Sequence, residues 1–185
     1  MVKQSKSDSD LHFLHSAANY YIAGRYGVFA HLSSVSANLL HHAIEILMKA
    51  AQSTMSLKEL KGFNHRLPEL WAAFRQAFPT TPAQPFTQVI NALHKFEELR
   101  YSDSIVQDGA SIIIGPGPRP SAPLKSAARA KRHYELWLDE IDALVGIILQ
   151  RCSYNPDFIF AGVFRKETRE FLARDNKQPW SQRPQ

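Results

Sequence analysis

The segment that decides the fold lies at residues 35–50, where the chain reads VSANLLHHAIEILMKA. Its apolar residues recur every three or four positions, which is the spacing of one face of an α-helix. Glu45 precedes Lys49 by one helical turn, the order that favours a helical ion pair. The segment therefore predicts an amphipathic helix with a wide apolar stripe.

Further segments of the chain show the same helical period. They lie at residues 11–30, 67–78, 86–99 and 124–150, and a last, partly apolar helix is predicted after Pro156. Short polar or proline-containing links separate these segments. The prediction is an all-α fold, an antiparallel bundle of about five to six helices. Residues 11–175 form its single domain, between a flexible start at 1–10 and a loose tail at 176–185.

The period changes between residues 104 and 123. Asp108 and Gly109 stand between the β-branched runs Ile105–Val106 and Ile112–Ile114, a pattern typical of a tight hairpin. The next residues, 115–120, are glycine and proline with one arginine and cannot continue a helix or a strand ladder. We therefore expect a short β-hairpin and loop insertion near residues 104–123.

Composition favours a globular domain away from the membrane. Apolar residues make up 44% of the chain, enough to bury a substantial core. No run approaches the roughly 18 apolar residues of a membrane span, and the polar start is unlike a secretory signal, so a cytoplasmic location is expected. The lone cysteine, Cys152, lies among apolar helix residues and is predicted to be a buried thiol.

Histidine and carboxylate residues recur at helical spacing on two predicted helices. His41, His42 and Glu45 lie on the second helix, and His94 and Glu97 lie on the fourth. These side chains could converge on a metal ion. Carboxylate-bridged bundle sites use the opposite order, Glu before His, and need two further carboxylates, so surface histidines are the alternative. We predict no metal and no cofactor, and a metal-binding helical bundle is the third alternative function.

Short motifs resemble those of the HEPN superfamily, the higher eukaryote and prokaryote nucleotide-binding domains. The matching segments are NYYIAGR at 19–25, LHHAIEILMKA at 40–50, His65 with Leu67, Glu69 and Leu70, and Leu99–Tyr101. Glu45 and Lys49 are the family-like pair in the second helix. The resemblance covers about residues 11–149. It implies a helical bundle, often homodimeric, that binds nucleotides or RNA or pairs with a nucleotidyltransferase in toxin–antitoxin systems.

The resemblance does not extend to the motif of the family's ribonucleases. Those members carry an arginine, four to six residues, and then a histidine late in the bundle. Here Arg129 and His133 leave three residues between them, and Arg25 and His31 leave five but lie in the first helix. Ribonuclease activity through either pair is the alternative to a binding function.

Basic residues follow the predicted insertion. Arg119, Lys125, Arg129, Lys131 and Arg132 occur with no acidic residue between Ser111 and Tyr134. Placed at a helix start, Lys125, Arg129 and Arg132 would share one face, where a phosphate would be attracted by the side chains and the helix dipole. The alternative is a solvated basic face without a ligand.

A second group of candidate residues follows the fourth predicted helix. Arg100, Tyr101 and Asp103 could place a guanidinium, a stacking ring and a carboxylate around a nucleotide, or they could cap the helix. Taken together, the sequence predicts a non-catalytic HEPN-like module that binds a nucleotide, RNA or a protein partner. The binding residues would be Arg100, Tyr101, Asp103, Lys125, Arg129 and Arg132. A homodimer and a nucleotidyltransferase are the expected partners.

Overall fold

The computed structural model of the chain describes residues 8–52, 55, 57–97, 110–121, 132–160, 163 and 165–178. These ranges contain seven α-helices and one two-stranded sheet. In chain order they are α1 (Asp8–Phe29), α2 (Ser33–Ala51), α3 (Leu57–Gly62), α4 (Leu67–Ala77), α5 (Phe86–Lys95), β1 (Ala110–Gly115), β2 (Arg132–Trp137), α6 (Leu138–Arg151) and α7 (Lys166–Leu172), with a 3₁₀ turn at Pro156–Phe160. The predicted, mainly helical fold with a small insertion is confirmed.

Helices α1 and α2 form a closely packed pair. A side chain at Gly24 would bring its Cβ within 2.8 Å of Leu40 Cγ, and one at Gly27 would bring it within 2.4 Å of Ser36 Oγ. Because real Cβ atoms do not approach other atoms so closely, glycine is needed at both positions for the helices to lie this near. This packing fixes the surface of α2 on which the candidate site lies.

One core joins α1, α2, α4, α5 and α6. Its largest fully buried apolar side chains include Tyr21, Leu40, Ile44, Leu47, Met48, Leu67, Leu70, Phe74 and Ile90, and Leu144 and Ile148 of α6 join them. These residues lie on the predicted apolar faces. The helical period in the sequence therefore identified the side of each helix that is removed from water.

The strands differ from the predicted hairpin. β1 contains the expected Ile112–Ile114, but its partner is β2, and the two run parallel from Ala110 opposite Arg132 to Gly115 opposite Trp137. The sequence analysis placed Arg132–Trp137 in a helix spanning 124–150, and this was wrong, because the helix begins at Leu138. A Cβ at Gly115 would lie 1.9 Å from the Trp137 ring, so the strands can pair here only with glycine.

The error arose because the spacing of apolar residues in this segment fits both a strand and a helix. In β2, Tyr134 and Leu136 are buried while His133 and Glu135 are half-buried, which is the alternation of a strand. Tyr134, Trp137 and Leu138 are also three and four residues apart, as on a helix. Two further predictions lie outside the described residues. One is the helix face that Lys125 and Arg129 were predicted to share with Arg132, and the other is the turn at Asp108–Gly109.

The ends of the domain also differ from expectation. The first helix begins at Asp8, inside the predicted flexible start, and the last predicted helix is divided into the 3₁₀ turn and α7. Asn176, expected at the start of a loose tail, is fully buried. Cys152 is half-buried at the edge of the core. Within the described ranges, no helix has the length and apolar character needed to cross a bilayer.

Candidate functional site

Two histidines and a glutamate meet on the outer surface of α2. Glu45 Oε2 lies 2.8 Å from His65 Nδ1 and 3.5 Å from His42 Nδ1. Each of the three side chains offers a ligand atom, and these atoms all lie within 4.8 Å of one another. We call His42, Glu45 and His65 the histidine–glutamate cluster.

Local structure explains how the cluster forms. His42 and Glu45 are three residues apart on α2 and so lie on the same face. His65 comes from the link between α3 and α4, where Asn64 and His65 have φ angles of 42° and 63°. This left-handed conformation is unusual for residues other than glycine. It turns the chain so that the exposed His65 ring reaches Glu45, a side chain that is only 3% exposed.

The carboxylate of Glu45 is ionised despite its burial. Burial by itself would raise the pKa of Glu45, but hydrogen bonding to His42, Lys49 and His65 outweighs burial and holds this pKa far below the usual range. Lys49 Nζ donates to Glu45 Oε1 at 2.6 Å, which confirms the ion pair predicted from the sequence. The cluster thus combines a fixed negative charge with two imidazoles.

Other histidines predicted as metal ligands are directed elsewhere. His41 Nδ1 lies 3.2 Å from the Leu93 carbonyl oxygen, and its Nε2 lies 3.1 Å from Glu97 Oε2. Burial lowers the pKa of His41. The rings of His41 and His94 are 6.4 Å apart. The five candidate ligands named from the sequence therefore do not share one centre; only His42 and Glu45 do, with His65 as the third member.

Arg25 is fully buried in a network that joins α1 to α6 and the C-terminal segment. Its Nη1 donates to both carboxylate oxygens of Asp142, its Nε donates to the Leu172 carbonyl at 2.7 Å, and its Nη2 donates to the Arg174 carbonyl at 2.8 Å. All three nitrogens of the guanidinium thus have acceptors. The side chain holds helices together and is closed to a substrate.

Tyr21 and Asn176 complete this buried network. The Tyr21 hydroxyl donates to Asp142 Oδ1 at 2.6 Å and accepts from Asn176 Nδ2 at 3.2 Å. Burial, together with the negative charge of Asp142, raises the pKa of Tyr21 well above its ordinary value, so the phenol keeps its proton and can donate. We call Tyr21, Arg25, Asp142 and Asn176 the buried arginine network.

The arginine–histidine pair considered in the first helix does not form. Arg25 is inaccessible, whereas His31 is exposed beyond the end of α1, in a left-handed conformation with φ 59°. Acid–base catalysis requires both groups to reach the same substrate atoms. The other pair includes Arg129, which lies outside the described residues, and His133, whose Nε2 is 3.0 Å from Glu135 Oε2.

The basic segment is described only at its two ends. Arg119 Nη1 donates to Glu135 at 2.7 Å, and Arg119 binds Glu140 through two nitrogens at 2.8 and 3.0 Å, so its charge is already paired. Arg132 is the half-buried first residue of β2, on a strand and not on the predicted helix face. The remaining predicted binding residues, Arg100, Tyr101, Asp103, Lys125 and Arg129, are outside the described residues.

Comparison of the chain with protein-family models, with curated proteins and with solved structures found no match. The HEPN resemblance therefore depends on the short motifs alone.

Sequence reasoning missed two features of this surface and core. His65 was noted only as the beginning of a helix, because it is twenty residues from Glu45 and nothing in the sequence brings the two together. Arg25 was considered as a catalytic group. The available signal was its position four residues after Tyr21 on an apolar helix face, where an arginine has to find a buried acceptor.

Proposed function

We propose that the chain is a non-catalytic, HEPN-like helical module whose function is to bind another molecule, with a second copy of itself as its first partner. The observation that carries the proposal is a set of exposed apolar side chains at the α1–α2 turn. Tyr26, Leu32 and Val35 are 56%, 51% and 53% exposed. Large apolar side chains grouped on a surface are typical of protein interfaces.

The location of these residues supports a homodimer. Tyr26 lies in the last turns of α1, Leu32 follows that helix, and Val35 lies in the first turn of α2, so all three belong to one end of the closely packed helix pair. Exposed apolar side chains at one end of a helix pair can contact those of a second copy about a two-fold axis. The buried state of Arg25 adds support for a binding role, because it removes one of the two candidate catalytic pairs.

Light scattering coupled to size-exclusion chromatography tests the dimer. Wild-type protein is expected at twice the chain mass, and Val35→Glu at the mass of one chain, because an interfacial charge would lose water without gaining a partner. Leu11→Glu is the matched control: Leu11 is 46% exposed but lies near the other end of α1. A monomeric wild type, or dissociation by the control alone, would contradict this partner.

Ribonuclease activity is the alternative that this proposal has to exclude. Purified protein incubated with RNA is expected to leave it intact. Cleavage that His31→Ala or His133→Ala abolishes would overturn the non-catalytic assignment and favour the enzymatic one.

Nucleotide or RNA binding is a second candidate function, favoured by the run of cations without acidic residues after Ser111. Its proposed site comprises Arg100, Tyr101, Asp103, Lys125, Arg129 and Arg132. If these cations contact RNA, the logarithm of affinity should fall with the logarithm of salt concentration by about 0.7 per neutralised phosphate. Fluorescence anisotropy with short RNAs should show a flatter slope for the double variant Arg129→Ala and Arg132→Ala, and an unchanged slope would exclude the site.

A further inference from the structure

We propose that His42, Glu45 and His65 form a binding site for a divalent transition-metal ion of the zinc type. The ligands would be the two imidazoles and one carboxylate oxygen. The proposal goes beyond the binding function above, which assigns no metal to the chain.

The spacing of the three side chains suits such an ion. Zinc bonds to nitrogen and oxygen of about 2.0–2.1 Å in a tetrahedron place neighbouring ligand atoms about 3.3 Å apart. Glu45 Oε2 lies 2.8 Å from one imidazole nitrogen and 3.5 Å from the other. Both separations are within about half an ångström of the tetrahedral value. The two imidazole nitrogens lie within 4.8 Å of each other, so side-chain rotations that bring the two rings closer together would convert the cluster to a coordination geometry.

The chemistry of the ligands also suits zinc. Imidazole nitrogen is the donor that zinc and its neighbours in the first transition row accept readily, whereas calcium and magnesium require oxygen donors. Two imidazoles and one carboxylate are the ligand set of several zinc sites and leave a fourth position for water. The cluster therefore selects a transition metal over the alkaline-earth ions.

Surrounding residues position the Glu45 carboxylate and the His42 imidazole as metal ligands. Lys49 binds Glu45 Oε1, which holds the side chain in place and leaves Oε2 directed at the two histidines. Beside His42, the ring of Tyr20 lies 5.6 Å away, centroid to centroid, and restricts that imidazole on its other side. Supporting contacts of this kind orient the ligands of metal sites.

Access to the cluster comes from His65. Its side chain is 53% exposed, whereas Glu45 is 3% exposed. A metal arriving from solvent would therefore meet His65 first and would lie between this imidazole and the Glu45 carboxylate.

The competing interpretation is that the cluster is only a set of ion pairs. The positive charge of Lys49 next to Glu45 opposes a divalent cation, and a protonated His65 would satisfy the carboxylate by itself. These two interpretations differ in a measurable property. Ion pairs require no added ion, whereas the proposed site requires both histidines for a tight one-to-one complex.

Calorimetric titration of the full chain with zinc tests the proposal. The protein should carry no affinity tag and should first be treated with a chelator. We expect one ion per chain, and cobalt should give the visible absorption of a tetrahedral centre with nitrogen and oxygen donors. Loss of a supporting residue around a metal costs about 10–100-fold in affinity. His65→Ala and His42→Ala remove ligands themselves and should each weaken zinc binding by at least about 100-fold.

The matched control is His12→Ala, which removes an exposed histidine of α1 far along the chain from the cluster. It should bind zinc as the wild type does. His65→Ala removes an exposed side chain, and an unchanged circular dichroism spectrum would show that the variant folds. The proposal is overturned if wild-type protein binds no zinc, or if His42→Ala and His65→Ala bind it as tightly as His12→Ala does.

Discussion

The buried arginine network and the histidine–glutamate cluster are both charged groups on the α1–α2 pair, but they differ in how completely their polar atoms are used. In the network, every nitrogen of Arg25 donates to an acceptor in a site without access to water. In the cluster, the carboxylate of Glu45 is buried, while His65, which binds it, is half in solvent. A saturated, closed group holds a fold together, whereas an ionised group reached by an exposed imidazole such as His65 can accept a ligand.

Removing the Asp142 carboxylate from the buried arginine network should cause the largest loss of stability. Asp142→Ala leaves the Arg25 charge buried without its carboxylate, and a broken buried ion pair typically costs about 3–5 kcal/mol of stability. Urea unfolding should show this loss. The double variant Arg25→Met with Asp142→Leu should recover most of it, because no charge then remains without a partner. A single variant as stable as the wild type would contradict the structural role of the network.

Removing only the phenol oxygen should have a smaller effect. Tyr21→Phe deletes the donor to Asp142 and the acceptor for Asn176 but preserves the ring that fills the core. A buried hydrogen-bond partner left without its mate costs about 1–3 kcal/mol. Urea unfolding of Tyr21→Phe should fall in that range and below the loss in Asp142→Ala. A larger loss than in Asp142→Ala would show that the Tyr21 hydroxyl, not the Arg25–Asp142 charge pair, dominates the network.

Removing the His65 imidazole from the histidine–glutamate cluster should change the free energy of unfolding very little. His65→Ala removes the ion-pair partner of Glu45 that is more than half exposed, and because solvent screens the His65 side of this pair we expect it to contribute about 1 kcal/mol or less. Lys49 remains bound to the carboxylate. In metal-free buffer, His65→Ala and wild-type protein should therefore unfold at nearly the same urea concentration. A loss comparable with that of Asp142→Ala would place the cluster among the structural groups.

Replacing Glu135 in β2 should change stability the least, and the change should depend on pH. Burial tends to raise the pKa of Glu135, but hydrogen bonds with Trp137 and His133 and the charge of Arg119 lower it overall. A depressed folded-state pKa contributes stability above the ordinary value for glutamate, and this contribution is lost as the pH falls through the folded-state pKa. Because Glu135 is only half-buried and its partner Arg119 is 42% exposed, solvent screens their interaction and the contribution should stay below about 1 kcal/mol.

Urea unfolding of wild-type protein and Glu135→Gln at several pH values measures this contribution. The two proteins should differ most near neutral pH and converge in acid. Arg119, His133 and Glu140 are other titratable groups around Glu135, and all three are present in both proteins. A difference that grows as the pH falls would contradict the assignment.

The helices could be predicted from the sequence because their apolar period is long. Residues 35–50 and 67–78 repeat the helical spacing over several turns, and most of their buried apolar side chains are those the period selects, although Val35, at the start of the predicted stripe, is 53% exposed. The strand β2 could not be predicted, because six residues fit both periods and its partner β1 lies beyond an intervening segment. Parallel pairing depends on contacts remote in the chain, which a local pattern does not contain.

The candidate site was predictable only in part. The shared helix face of His42 and Glu45 and the ion pair of Glu45 with Lys49 are local properties, and the helical spacing predicted both. His65 reaches that face through the left-handed residues 64 and 65 and the packing of α4 on α2, which are properties of the folded chain. The same limit applies to Arg25, whose acceptors Asp142, Leu172 and Arg174 all come from the far end of the sequence.

Unfolding with and without zinc tests most directly the claim that the cluster is open to a ligand while the network is closed. A ligand at about 100 times its dissociation constant raises the free energy of unfolding by about 2.7 kcal/mol. We expect this rise in wild-type protein and in Tyr21→Phe, which weakens the network but keeps the cluster, and no rise in His65→Ala. The same rise in His65→Ala as in wild type, or none in either, would contradict the account.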